Sequence, residues 1–391
     1  MLHYSFLTES ARDRLFARPP QPLGRGSDAQ SLAVGLGATL YTPGTRPGLA
    51  DTVLKRARAG CASGVLCLED AVADASVADA EDNVVTALTD LAGRDEASAA
   101  GFPLLFVRPR SPEQLLEVGR RLGPAADLLT GFVLPKFENT SGRGERFLDA
   151  LDRLNRELDT QHALRAMPIV EHPVTTHRET RSRALLAVRD LLRARRDLIL
   201  SVRLGTTDMS AAYGLRRSRD LTIYDVAVVA EVIADVVGIL GRADEGWVIS
   251  GPVWEHYSST ERILRPQLRA TPFSATNTEM LRERLLGANL DGLIREIELD
   301  LANGLLGKTV IHPSHVPVVH ALHTVSHEEY VDALDILAAE GGGATASRSG
   351  VRMNEAKPHR AWAQRTLKRA DAFGVAHPDV TFVDLLEASM K

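Results

Sequence analysis

Residues 198–208 read LILSVRLGTTD, a run rich in branched aliphatic side chains that ends abruptly in a glycine, two threonines and an aspartate. A strand buried on both faces of a parallel sheet has this form, because neither face meets water and polar groups are left to its end. The pattern recurs along the chain. Toward the N-terminus, Ala166–Val170 stops at Glu171, Gly131–Leu134 at PKFE, Pro103–Val107 at Arg108, Gly64–Leu68 at Glu69-Asp70, and Ala38–Tyr41 at PGTRP. Toward the C-terminus, Trp247–Ser250 stops at Gly251-Pro252 and Lys308–Ile311 at His312-Pro313.

Helical periodicity fills the intervals. Phe147, Leu148, Leu151, Leu154 and Leu158 form one apolar stripe, and Ile223, Val226, Ala230, Ile233 and Val237 another, the latter after a Thr222-x-x-Asp225 capping pattern. Eight strand–helix units between Ala38 and Pro313 average about 35 residues, the size expected of a (β/α)8 TIM barrel of roughly 250 residues. A doubly wound open sheet is the competing α/β architecture, but no Gly-rich dinucleotide fingerprint follows the first run. The reading is therefore an α/β chain with a TIM-barrel domain over residues 36–325.

Two additions flank the barrel. Residues 1–35 contain ARPPQPLGRGSD, too rich in Pro and Gly for a regular element, and read as an N-terminal arm lying on the barrel or on a neighbour. Residues 326–391 read as a C-terminal helical extension: a helix near Glu328–Ala339, a flexible GGGATASRSG stretch, and a helix from Pro358 stopped by Gly374. Trp362, Thr366, Ala370 and Phe373 share one face of that last helix, with Trp362 as a packing residue against the barrel or another chain. A linker followed by a helix suits a lid or a segment reaching over a partner subunit.

Composition narrows the function. In 391 residues, 44% are hydrophobic, enough for a large core and incompatible with bulk disorder. Lys and Arg total 46 against 51 Asp and Glu, a net charge of −5 that gives no global attraction to nucleic acid. Only Cys61 and Cys67 occur, which fits a reducing cytoplasm better than a disulfide-stabilised secreted protein. The N-terminus is charged where a signal peptide needs an unbroken apolar run, and the apolar segment Val226–Leu240 is interrupted by Glu231 and Asp235, so neither export nor membrane insertion is expected.

Barrel enzymes carry their chemistry at the C-terminal ends of the strands. Here those ends hold Arg46, Glu69, Asp70, Arg108, Lys136, Glu138, Glu171, Asp208 and His312. A single charge at a strand end is ordinary; nearly every strand end carrying one is not. Glu171 and Asp208 come from adjacent strands, and two carboxylates completed by water and substrate oxygens suit Mg²⁺, with Mn²⁺ as the alternative. A guanidinium at Arg108 suits a carbonyl or developing enolate, and Arg46 in its Pro-Gly-Thr-Arg-Pro turn can clamp a carboxylate.

The strings LYTPGTRPG, LCLEDAV, FVRPR, VLPKFE, IVEHP, RLGTTDMSAAYG and GKTVIHPSHV occur in the order and at roughly the distances found in the HpcH/HpaI aldolase and citrate lyase β-subunit-like family. The sequence resembles that family over about residues 36–340. The resemblance implies a (β/α)8 barrel, a Mg²⁺-dependent carbon–carbon lyase or aldolase acting on a small carboxylated substrate, and a homo-oligomer, usually a trimer or hexamer. It implies Glu171 and Asp208 as metal ligands, Arg108 facing the reacting carbonyl, and Arg46 holding substrate or a cofactor phosphate. Glu69 and Asp70 would be the acidic pair orienting arginine and metal-bound water. From their strand-end positions rather than from the resemblance, Lys136 and His312 are the further substrate-contact candidates, with bonding of the strand's last backbone groups as the structural alternative for His312. In acyl-CoA lyases of the family a tail aspartate from a neighbouring subunit completes the site; here VRMNEAKPH places Glu355 there.

Other departures are Cys67 where the family often has Asp, Arg110 where it has Asn, and a longer interval between Glu171 and Asp208, filled by the arginine-rich RETRSRALLAVRDLLRARRD. A CoA thioester and a free 2-oxo acid, the latter as in class II aldolases, both stay open as substrates. A non-catalytic relative is the third reading, disfavoured because Glu171, Asp208 and Arg108 are all kept.

Other motifs carry less. His312, His315, His320 and His323 are spaced along a helix or loop rather than convergent on a zinc ion. ANGLLGKT resembles a phosphate loop but lacks its first glycine and runs from helix into strand, the reverse of the required order. Arg193, Arg195 and Arg196 read as a solvated helix end rather than a phosphate site.

Overall fold

The computed structural model describes residues 1–257, 290–339, 342–348, 350 and 352–390. Eight parallel strands form its central sheet: β1 (Ala38–Pro43), β2 (Ser63–Cys67), β3 (Leu104–Arg108), β4 (Leu129–Leu134), β5 (Arg165–Val170), β6 (Val202–Leu204), β7 (Ile249–Ser250) and β8 (Lys308–Val310). From β1 to β7 each strand pairs with the next, and β8 pairs with β1. A parallel bridge between Gly251 and Lys308, with Thr309 N–H donating to Gly251 C=O at 3.0 Å, joins β7 to β8 and closes the barrel. All eight expected runs are strands. The sixth is shorter than its apolar run, because Arg196–Leu198 is a 3-10 turn that delivers the chain to the sheet.

Side chains alternate across each strand with period two, and the alternation decides which of them enter the barrel. On β3, Leu105 and Val107 face the surrounding helices, while Leu104 and Phe106 pack with Val65, Val133, Met167 and Ile169 inside. Continuing the interior phase past the last apolar residue gives Arg108 at the end of β3, Glu69 after β2 and Glu171 after β5. The periodicity that buries the core therefore aims these three groups at the mouth.

The helix Arg143–Glu157 buries the Phe147, Leu148, Leu151 and Leu154 stripe as expected. The Thr222/Asp225 capping box closes a 3-10 turn, Ile223–Asp225, just before the helix Ala227–Leu240. The long interval after β5 holds Pro173–Thr176 and the helix Arg178–Ala194, whose Arg181 is buried and paired with Asp235 at 2.9 Å.

The arm is more ordered than its composition suggests. It contains the helices Glu9–Leu15 and Ala29–Gly35, the second capped by Asp28, and Leu32, Ala33 and Leu36 join the interior cluster at the barrel's lower end. Phe16–Arg18 pairs antiparallel with Val375–Ala376, and Arg18 bonds Asp371 at 2.6 Å, tying the arm to the C-terminal extension.

In the extension, helix His327–Ala338 is capped by Ser326 and Glu329, and Arg360–Phe373 ends at Gly374, whose φ of 81° only glycine adopts easily. The expected flexible stretch holds a hairpin instead, Ala344–Ala346 with Met353–Glu355; its Gly341 and Ser349 lie outside the described residues. Thr366, Ala370 and Phe373 are buried, whereas Trp362 is 37% exposed and packs less than its spacing suggests. No helix among the described residues is long and apolar enough to cross a membrane.

Candidate active site

Glu69, Asp70, Arg108, Lys136, Glu171 and Asp208 converge at the C-terminal mouth of the barrel, and Lys136 is their hub. Its ammonium bonds Glu69, lies 3.2 Å from both Asp70 oxygens and 4.0 Å from Asp208. Its backbone sits at φ 50°, an uncommon conformation for a residue with a Cβ, and its N–H donates to Glu171 Oε1 at 2.7 Å. One residue thus supplies a cation to one side of the cluster and an amide donor to the other.

Arg108 is held on three sides. Its Nε donates to Cys67 Sγ at 3.2 Å, NH2 lies 3.2 Å from Glu69, and the guanidinium stands 5.3 Å above the Tyr41 ring. Among the described residues no acceptor meets NH1, which leaves an oriented donor for a ligand oxygen. Cys67, a buried thiol, is thus the acceptor that holds the arginine's Nε.

Glu171 is 3% exposed. Gly205, at the start of the GTTD segment, has no side chain, and a Cβ there would overlap the Glu171 carboxylate, so that glycine makes room for the acid. Burial first, and then the Asp208 charge beside it, push the Glu171 carboxyl up to about 8. Asp208, in the first turn of Thr206–Ala211, is also raised by burial and by Asp70, with Lys136 opposing. Two adjacent carboxyls that resist ionising together are a site short of positive charge. Hard oxygen donors on adjacent strands fit Mg²⁺. Among the described residues no group of three or more His, Cys, Asp or Glu is arranged to hold a metal, so an ion here would take its remaining ligands from water and substrate.

The other expected residues lie farther out. Arg46 is exposed, with Nε donating to Thr52 Oγ1 at 3.2 Å, and makes no ion pair with the cluster. His312 bonds Ser314 at 2.8 Å and stacks on Tyr257 at 4.9 Å. Glu138 accepts the N–H groups of Thr140 and Ser141 at 2.6 and 3.0 Å; burial opposes its charge, but these and the two hydroxyls hold it at about 2 and fix the loop after β4. Glu355 stands on the extension's hairpin, where its N–H donates to His359 Nδ1 at 3.0 Å, and the fold does not bring it to the cluster of its own chain. Arg110 braces the loop after β2, donating to Leu68 C=O at 2.8 Å and pairing with Asp74 at 2.5 Å.

Arg203 is a group the sequence reading missed. It is 1% exposed, inside the barrel, with bonds to Thr39 Oγ1 at 3.3 Å and Thr309 Oγ1 at 2.6 Å, and it stands 5.7 Å from the Tyr41 ring. It forms a positive floor under the mouth. Its signal was present: an arginine within an apolar run, in the interior phase. Downstream of His312, His320 and His323 are buried and bonded to the backbone: His320 accepts from Ala38 N–H at 3.3 Å, and His323 accepts from Gly307 N–H at 2.8 Å and donates to Val319 C=O at 2.7 Å.

A model of the family described as C–C bond lyases of the TIM-barrel fold matches residues 30–375. Among solved structures, the chain is similar to the protein CitE from Mycobacterium tuberculosis in complex with magnesium, acetoacetate and coenzyme A. The two share 21% identity over 87% of this chain and 99% of that one, with a TM-score of 0.51. It is also similar to a citrate lyase from Burkholderia xenovorans LB400, at 17% identity over 90% and 96% of the two chains, with a TM-score of 0.58. At these identities the likeness speaks for the fold. No curated protein matches the sequence.

Proposed function

Because the chain belongs to the C–C bond lyases of the TIM-barrel fold, we propose that its mouth cluster cleaves a carbon–carbon bond in a small carboxylated substrate with the help of Mg²⁺. The observation that carries this reading is the under-neutralised Glu171/Asp208 pair beside an arginine with a free donor. Glu171 and Asp208 would hold the ion, which supplies Lewis-acid charge when bound.

The protein's own groups account for the rest. A mouth carboxylate takes the substrate hydroxyl proton as that oxygen becomes a carbonyl; Asp70 is the member of the cluster most open to solvent. The electron pair of the broken bond moves to the neighbouring acyl group as an enolate, whose oxygen faces Arg108 NH1, and a proton returns to its carbon. Cys67 and Glu69 keep the guanidinium aimed, Lys136 balances the acids, and Arg46 gathers a substrate carboxylate at the rim. Glu355 fits a role only in a neighbouring subunit's site, which joins it to the reading of the protein as a cytoplasmic homo-oligomer.

A thermal-shift comparison tests the substrate class. Acetyl- and malyl-type CoA thioesters are set against free oxaloacetate and pyruvate, each with and without Mg²⁺. Mg²⁺-dependent stabilisation by thioesters supports a CoA substrate. Stabilisation by free acids alone assigns a 2-oxo acid aldolase instead, and indifference to all of them contradicts the proposal.

A further inference from the structure

The arginine cluster after the fifth barrel helix divides in the fold. Arg193 pairs with Glu245, and Arg195 with Asp149 at 2.6 Å. Arg196 pairs with no carboxylate among the described residues: it donates to the carbonyls of Glu245 and Gly246 at 2.8 and 3.2 Å and stacks 5.0 Å from the Trp247 ring.

Arg196 lines a cavity of about 700 Å³ between the helix Ala29–Gly35, the Arg360–Phe373 helix and the loops that enter the strands. Arg165, Arg242 and Arg365 line it too. Each is bonded to carbonyl oxygens only: Arg165 to Asp197 at 3.5 Å, Arg242 to Gly238 at 2.9 Å and Arg365 to Gly304 at 2.8 Å. Four arginines and two carboxylates, Asp197 and Asp244, line the cavity, and no ion pair joins them among the described residues.

One wall of the cavity is apolar. Trp247 is 8% exposed there, and its ring face holds the Arg196 guanidinium at the cavity edge.

Arg165 opens β5, and Trp247 and Val248 lead into β7, so this cavity lies at the N-terminal ends of the strands, opposite the mouth. We infer that it binds a small anion carrying two or more negative charges, separately from the reacting substrate. Guanidiniums with spare N–H groups recognise phosphate and carboxylate oxygens in pairs. Because Arg365 belongs to the extension and Arg165 to the barrel, the bound anion would clamp the two together.

The test uses the full-length protein without Mg²⁺, titrated with inorganic pyrophosphate and, in a parallel arm, with citrate, read by calorimetry and tryptophan fluorescence. Saturable binding of either anion is expected, weakened by about tenfold or more in Arg196→Gln/Arg242→Gln and unchanged in Arg108→Gln. Both substituted arginines are exposed, and Arg165→Gln, read the same way, provides a second variant if the double one fails to fold. Preference for pyrophosphate identifies a phosphate-bearing ligand and preference for citrate a polycarboxylate. No binding of either anion, binding that survives loss of the arginines, or binding abolished by Arg108→Gln would overturn the inference.

Discussion

Two charge clusters lie within the same barrel and differ in how fully their acids are paired. At the seam between β7 and β8, Lys308, wholly buried, bonds Glu296 at 3.0 Å and Asp300 at 2.7 Å. Arg217 completes the pairing of Glu296, Ile223 N–H donates to it at 2.7 Å, and Tyr224 donates to Asp300 at 2.8 Å. Each acid there has a cation and a further donor, and water is excluded. At the mouth, Lys136 divides itself among several acids, while Glu171 and Asp208 face each other with too little positive charge. A closed network fixes structure. An open one with a deficit of cation can accept an ion and a substrate.

The largest effect should come from breaking the closed network. Lys308→Met leaves Glu296 and Asp300 buried without their shared cation and should cost about 3–5 kcal/mol in urea unfolding. A loss of only a few tenths would mean that the seam tolerates charge as the mouth does. Arg108→Gln should do the reverse, lowering kcat by about 10²–10³-fold with little change in unfolding midpoint.

A pH series sharpens the contrast. The Glu171 carboxyl, raised by burial and by Asp208 from its ordinary 4.5 to about 8, favours the protonated form in the fold. Its contribution to stability is full below about 4.5 and is lost as pH rises through about 8. The metal-free protein should therefore lose melting temperature across that window, and Mg²⁺ should flatten the loss by displacing the proton. A slope indifferent to Mg²⁺ would detach Glu171 from the ion. The smallest effect belongs to the rim: Arg46→Ala should raise KM by about tenfold or less, with kcat nearly kept.

These contrasts also explain what could be read from the sequence. The eight strands were legible because a strand buried on both faces leaves an apolar run with a charged end, and the strand-end charges marked five elements of the mouth cluster at once. What escaped depended on facing direction or on distant pairing. Arg203 lies inside an apolar run, and only the interior phase shared with Thr39 and Thr309 shows that it points inward. Lys308 sits in a string resembling a phosphate loop, and its partners, Glu296 and Asp300, lie on the helix Asp291–Ala302 packed outside β8. The order of the arm was hidden because its strand Phe16–Arg18 finds its partner at the far end of the chain.

The central claim is that the mouth, unlike the seam, is built to take up a divalent cation on Glu171 and Asp208. Calorimetric titration of Mg²⁺ into the wild-type protein and into Asp208→Asn tests it directly. The account predicts saturable binding to the wild type, and its loss in a variant that keeps the wild-type melting temperature. Absence of binding to the wild type, or equal binding to both proteins, would contradict it.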